Sequence, residues 1–180
     1  LVREEITSLE RVTDLGRLEH LMLRLPDLVG SPLSLNALRE DLQVSHATVA
    51  NWIAILERLY AVFRVAPFGA PRIRAVKKEQ KHYHLDWSVV PGESPRFENL
   101  VGAHLLKWVH FRQDTEGRDV ELRYFRDVDG REVDFVVVEG RRPTHLIECK
   151  WADAPIDRGV RYLKLRFPAA EAWQVSAVGT

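Results

Sequence analysis

The chain of 180 residues carries 26 basic and 26 acidic side chains, is 46% hydrophobic and contains one cysteine and one methionine. That composition excludes a disordered tail, and the length suits one medium domain or two small ones. A lone cysteine excludes an internal disulfide, no zinc-finger spacing is present, and no apolar run approaches the ~20 residues of a membrane span, so a cytoplasmic protein without a membrane segment is expected.

Leu1 stands first with no basic-then-apolar leader after it, which reads as a piece of a longer chain. Residues 1–90 hold 12 basic and 11 acidic side chains and residues 91–180 hold 14 and 15, so neither half is a polycation. The local excess lies between Arg72 and Lys81, where five cations face Glu79 alone for a net +4.

In chain order, Thr13 to Leu28 is predicted helical, with Leu15, Leu18, Leu21, Met22 and Leu25 on one stripe and Pro26 weakening the end. A short helix follows over Leu35 to Leu42. After a tight turn at Gln43-Val44, Ser45 caps a longer helix from His46 to about Tyr60, and two helices joined this way make a helix-turn-helix. Alternation then predicts strands at Ala61 to Phe68 and Lys81 to Asp86, which completes a winged helix. Pro91 to Pro95 marks a junction, dividing the chain into a winged-helix domain over 1–92 and a second domain over 93–180.

The second half opens with a helix from Phe97 to about Phe111. Strands follow near Glu121 to Phe125, Glu132 to Val138 and Thr144 to Trp151, then a helix from about Ile156 to Phe167 and a last strand over Ala172 to Val178. Asp129-Gly130 is a hairpin turn signal. The order α-β-β-β-α-β predicts a sheet flanked by helices, hence an α/β (α+β) fold.

Chemistry concentrates in this half. On a helical wheel Glu98 falls inside the apolar arc between Leu105 and Val109, and a carboxylate there is either paired or holding a metal. Asp134 sits in a strand that is otherwise apolar on both faces, as central covered strands are. In His145 to Trp151, period-two alternation puts Glu148 and Lys150 on one face and Cys149 on the other, where a thiol is core rather than nucleophile. Glu148 and Lys150 taken alone read as a same-face ion pair.

Together, a helix carboxylate, a strand Asp and a Glu-x-Lys fourteen residues later resemble the PD-(D/E)XK nuclease superfamily. The resemblance covers roughly residues 96–178 and implies a restriction-endonuclease-like α/β domain. It makes Glu98, Asp134, Glu148 and Lys150 the catalytic set, with Asp134, Glu148 and Glu98 holding Mg²⁺ or Mn²⁺ for phosphodiester hydrolysis. Lys150 would orient or help deprotonate the attacking water and stabilise transition-state charge, and Gln174 would be an auxiliary polar group. Val133 stands where the motif's name has proline.

The stretch Val44 to Leu59, Lys81 to Asp86, Phe97-Glu98-Asn99-Leu100-Val101, Glu132 to Phe135 and Ile147 to Lys150 resembles something narrower: the C-terminal region, of unknown function, of predicted prokaryotic AAA-superfamily ATPases. That resemblance implies an ATPase module before Leu1. The chain itself has no Gly-x-x-x-x-Gly-Lys loop, so no ATP hydrolysis is expected of it.

In the first half, His46, Thr48 and Asn51 at the start of the second helix are candidate DNA contacts, and Arg72, Arg74, Lys77 and Lys78 are candidate phosphate contacts. Against base reading, residues 46–60 hold one cation, Arg58, balanced by Glu57. His82, His84 and Asp86 alternate on one strand face and read as surface polar residues or as ligands for a transition metal. Trp87, Trp151 and Trp173 are expected in the cores, and His104 and His110 have no partner visible in sequence. Three functions stay open: a metal-dependent DNA nuclease, a nuclease-like fold that binds nucleic acid without cutting, and a protein-interaction region of the ATPase or its own homo-oligomer.

Overall fold

The structure, a computed structural model, describes residues 14–69 and 79–179. Helix α1 (Leu15–Arg24) begins where the Asp14 carboxylate accepts the Arg17 amide, and it ends before Pro26, which lies in a 3-10 turn over Leu25–Leu28. Proline lacks the amide that would continue the α-helical ladder, so the predicted last turn tightens. Ser34 and Ser45 cap α2 (Leu35–Leu42) and α3 (His46–Arg58) with their hydroxyls. The turn between them runs through Gln43 in the left-handed region at φ 52°. Leu18, Leu21, Leu38, Val49, Ile53 and Leu56 close a core among these three helices.

Strands β1 (Val62–Pro67) and β2 (Lys81–His84) pair antiparallel, and a 3-10 turn over Trp87–Val89 leads to α4 (Glu93–Glu116). Then come β3 (Val120–Arg126), β4 (Glu132–Glu139), β5 (Arg142–Ala152), α5 (Arg158–Arg166) and β6 (Glu171–Val178). The element order of this half follows the sequence pattern, and the fold is mixed α/β.

All six strands form one curled sheet in the order β2-β1-β3-β4-β5-β6. The join between halves is β1 beside β3 in parallel, with Ala66 opposite Arg123 and Pro67 opposite Tyr124. One layer of the core is shared across the junction: Phe63, Val65 and Tyr83 pack with Val109, Phe135, Val137 and Ile147. On the opposite face Val136, Val138 and Leu146 meet Val160 and Leu163 of α5. Covered on both faces, β4 is buried along its apolar run. Gly159 lets α5 start hard against β4, since a Cβ there would overlap the Glu132 carbonyl.

Two expectations are corrected. His82 and His84 are buried, because β2 lies between the helical core and α4 instead of on the surface. Trp87, Trp151 and Trp173 are 37%, 36% and 53% exposed, with Trp151 edge-on to Phe97 and Trp173 on the outer strand β6. Lys81, the last cation of the local basic excess, is buried. Among the described residues no helix is long and apolar enough to cross a membrane.

Candidate active site

Two irregularities in the sheet build the site. Between the pairs Phe125–Val133 and Arg123–Val136, β3 advances by Tyr124 alone while β4 advances by Asp134 and Phe135. Such a bulge re-aims the side chains it carries. On its other side, pairing of β4 with β5 ends at Phe135–Ile147, and the rest of β5 runs on with β6 through Glu148–Gln174 and Lys150–Ser176. The sheet therefore forks at Asp134 and Glu148.

At the fork two backbone amides lose their ladder partners and carboxylates take them. The Cys149 amide donates to Asp134 Oδ2 at 2.9 Å, and the Asp134 amide donates to Glu148 Oε2 at 3.3 Å. Glu148 Oε1 accepts from Lys150 Nζ at 2.6 Å, and Lys150 reaches on to Asp157 Oδ2 at 3.2 Å. Asp157 caps α5 through the Gly159 amide and donates its own amide to Gln174 Oε1, so Gln174 fixes the far wall.

Glu98 enters from α4. Its Oε1 accepts from Tyr83 Oη at 2.7 Å and from Lys81 Nζ at 3.3 Å. Lys81 Nζ also lies 2.6 Å from Glu132 and 3.5 Å from Asp134. Next along α4, the buried Asn99 side chain accepts the His84 amide at 2.8 Å and donates to the His84 carbonyl at 2.6 Å. The pair Glu98-Asn99 thus clamps β2 against α4.

Of the four residues grouped from sequence, Asp134, Glu148 and Lys150 are linked directly, and Glu98 reaches them through Lys81. Sequence reasoning missed Lys81, Tyr83, Glu132 and Asp157. The available signal was the shared parity of Lys81 and Tyr83, which puts both on the strand face opposite His82.

The electrostatics follow from burial. Asp134 is pushed up to about 8, by burial first and then by Glu98, with Lys81 opposing and Glu148 adding to the rise. Glu148 is raised by burial against the pull of Lys150. Burial works to strip the proton from Lys81, but the carboxylates of Glu98, Asp134 and Glu132 outweigh it and hold the ammonium charged. Lys150 is likewise held above its ordinary value by Glu148 and Asp157 against burial, so near neutral pH it donates protons to hydrogen bonds and does not accept one. The Cys149 thiol is driven up by burial and by Asp134, which makes it a poor nucleophile.

Among the described residues, the five carboxylates of Glu98, Glu132, Asp134, Glu148 and Asp157 stand in ion-pair contact with Lys81, Lys150 and Arg126. With Asp134 protonated below about pH 8 the group keeps one negative charge in excess, and two once Asp134 ionises. Its donors are hard oxygens of the kind Mg²⁺ and Mn²⁺ take. The oxygens of Glu98, Asp134 and Glu148 therefore suit such an ion in kind. Among the described residues, however, no three acidic, cysteine or histidine side chains stand arranged to hold a metal. Lys81 stands between Glu98 and Asp134.

Of the candidate DNA contacts, His46 and Asn51 are exposed on α3, while the Thr48 hydroxyl is 2.8 Å from Ser45 Oγ in the helix cap. Arg72, Arg74, Lys77 and Lys78 lie outside the described residues. His82 Nε2 lies 2.8 Å from the Leu25 carbonyl and its ring is 5.9 Å from that of His84. Asp86 caps the following turn through Ser88. His104 Nδ1 lies 2.9 Å from the Leu100 carbonyl on the exposed side of α4.

Two family models match the chain: one described as Domain of unknown function (DUF8612) over residues 1–92, and one described as Domain of unknown function (DUF4143) over residues 95–178. No curated protein and no solved structure matches it.

Proposed function

This chain belongs to the DUF8612 family through its first 92 residues, and we propose that it is a metal-dependent phosphodiesterase acting on DNA, the C-terminal part of a prokaryotic AAA-superfamily ATPase. Its second half is a PD-(D/E)XK-like domain, and its first half is a winged helix that presents the substrate. One observation carries the reading. Asp134 and the Glu148–Lys150 pair, from β4 and β5, meet where the sheet forks, and Glu98 from α4 is joined to Asp134 through the Lys81 ammonium.

Bound by Glu98, Asp134 and Glu148, Mg²⁺ would neutralise phosphate charge and acidify a water. The protein's own groups do the rest. Lys150 is 30% exposed and charged, so it can donate to a phosphate oxygen and stabilise developing negative charge. Asp157 and Glu148 hold that ammonium from two sides and fix its direction. The role left to Lys150 is charge stabilisation and positioning rather than deprotonation of water.

The test is nicking of supercoiled DNA with Mn²⁺ by the wild type and by Asp134→Asn, with circular dichroism as the folding control. The expected outcome is nicking by the wild type and none by the variant. Nicking that survives in a folded Asp134→Asn protein refutes the assignment. A second reading, DNA binding without cleavage, is favoured by the place of Lys81 between Glu98 and Asp134. It predicts salt-dependent binding with no nicking in either protein.

A further inference from the structure

The cluster's deepest cation comes from outside the element set that carries the nuclease-like pattern. Lys81 belongs to β2, before the Pro91–Pro95 junction, and its side chain is 1% exposed. Its ammonium lies 3.3 Å from Glu98, 3.5 Å from Asp134 and 2.6 Å from Glu132. Two of these three partners are carboxylates that the proposed reaction assigns to a divalent ion.

We propose that Lys81 is the site's built-in counter-cation and competes with a divalent ion for Glu98 and Asp134. Four observations make the competition specific. The partner at the shortest distance, Glu132, is not one of the proposed ligands, so Lys81 keeps an anchor when it yields the other two. Tyr83, on the same strand face, donates to Glu98 Oε1 and holds that carboxylate beside Lys81. On the other side Gly30, at φ 82°, leaves room for Glu98, since a Cβ there would come within 3.0 Å of Oε2. Lys81 Nζ also sits 5.5 Å from the Tyr124 ring centroid, which faces a cation favourably. The first half of the chain therefore supplies a positive charge that any metal must offset, and Lys81 sets how weakly the site takes one.

This inference rests on the nuclease reading, and the experiment separates the two. Mn²⁺ binding is measured by calorimetry on the full chain as wild type, Lys81→Met, Lys81→Arg and Asp134→Asn. The expected result is that Lys81→Met binds Mn²⁺ at least tenfold more tightly than the wild type. Lys81→Arg keeps the weak wild-type affinity, and Asp134→Asn loses binding. Equal or weaker binding by Lys81→Met, with Asp134→Asn still abolishing it, overturns the competition and leaves the nuclease reading standing. Absence of binding to both the wild type and Lys81→Met overturns both. Should Lys81→Met not fold, the ¹³Cε resonance of Lys81 decides, assigned by its loss in Lys81→Arg. Under competition it moves on titration with Mg²⁺, and an unmoved resonance overturns the proposal.

Discussion

Acidification is a sharp probe of how β2 is packed. His82 is buried between the helical core and the sheet, and the structure holds its pKa down at about 4, through burial first and the neighbouring His84 as well, against a hydrogen bond to the Leu25 carbonyl. In the unfolded chain the ring takes up a proton near 6.5. Between these values the unfolded state binds more protons than the fold, so stability is complete above about 6.5 and is lost as the pH falls toward 4. The span from 6.5 to about 4 corresponds to ~3 kcal/mol, of which ~2 kcal/mol is lost between pH 7 and about pH 4.5. Asp134 and Glu148 act in the opposite sense, since carboxyls raised in the fold stabilise it below their unfolded values and lose that contribution as the pH climbs. The histidine is isolated by comparing urea unfolding of the wild type with His82→Gln, whose amide still donates to Leu25 but does not titrate. The difference in unfolding free energy between the two proteins shifts by ~2 kcal/mol over that pH interval. A difference that stays constant refutes the burial argument for His82.

Asn99→Ala leaves both the amide and the carbonyl of His84 buried without partners, at ~1–3 kcal/mol for each, and urea unfolding is expected to show a loss of ~2–5 kcal/mol. A loss below ~1 kcal/mol contradicts the clamp of β2 on α4. Gly159→Ala drives a methyl group into the Glu132 carbonyl, where only backbone movement relieves the overlap, so a loss of ~3 kcal/mol or more is expected in the same assay. A neutral result would mean that α5 does not abut β4 as described.

Local patterning made the element order readable from sequence, and the four motif residues were legible because each contradicts its surroundings. Glu98 breaks an apolar arc, Asp134 breaks an apolar strand, and Glu148 with Lys150 share a parity. Lys81 and Tyr83 were hidden for the opposite reason. Their strand reads as ordinary alternation, and only the parallel join of β1 to β3 brings it beside β4's neighbourhood and under α4. His82 and His84 were misplaced because alternation normally marks one wet face, whereas here the helical core covers it. The aim of Asp134 was beyond periodicity altogether, since a bulge shifts the parity of β4 at that residue.

The fork also decides which substitution reads out chemistry cleanly. Asp134 serves two masters there: Oδ2 accepts the Cys149 amide, while Oδ1 faces Lys81 at 3.5 Å. Asp134→Ala removes the charge and strands a backbone donor at the end of the β4–β5 ladder. Asp134→Asn removes the charge but keeps a carbonyl oxygen for that amide. Both variants are expected to lose Mn²⁺-supported nicking, but Asp134→Ala should be the less stable by ~1–3 kcal/mol, the penalty of an unsatisfied buried donor. The amide variant also relieves a charge that the fold resists, since burial and Glu98 push Asp134 up to about 8. It is therefore expected to unfold at a urea concentration equal to or above that of the wild type near pH 8, where the buried carboxylate is half ionised. An Asp134→Asn protein as unstable as Asp134→Ala would show that the Cys149 amide is not held by this side chain, and the carboxylates would then lose their place at the strand fork.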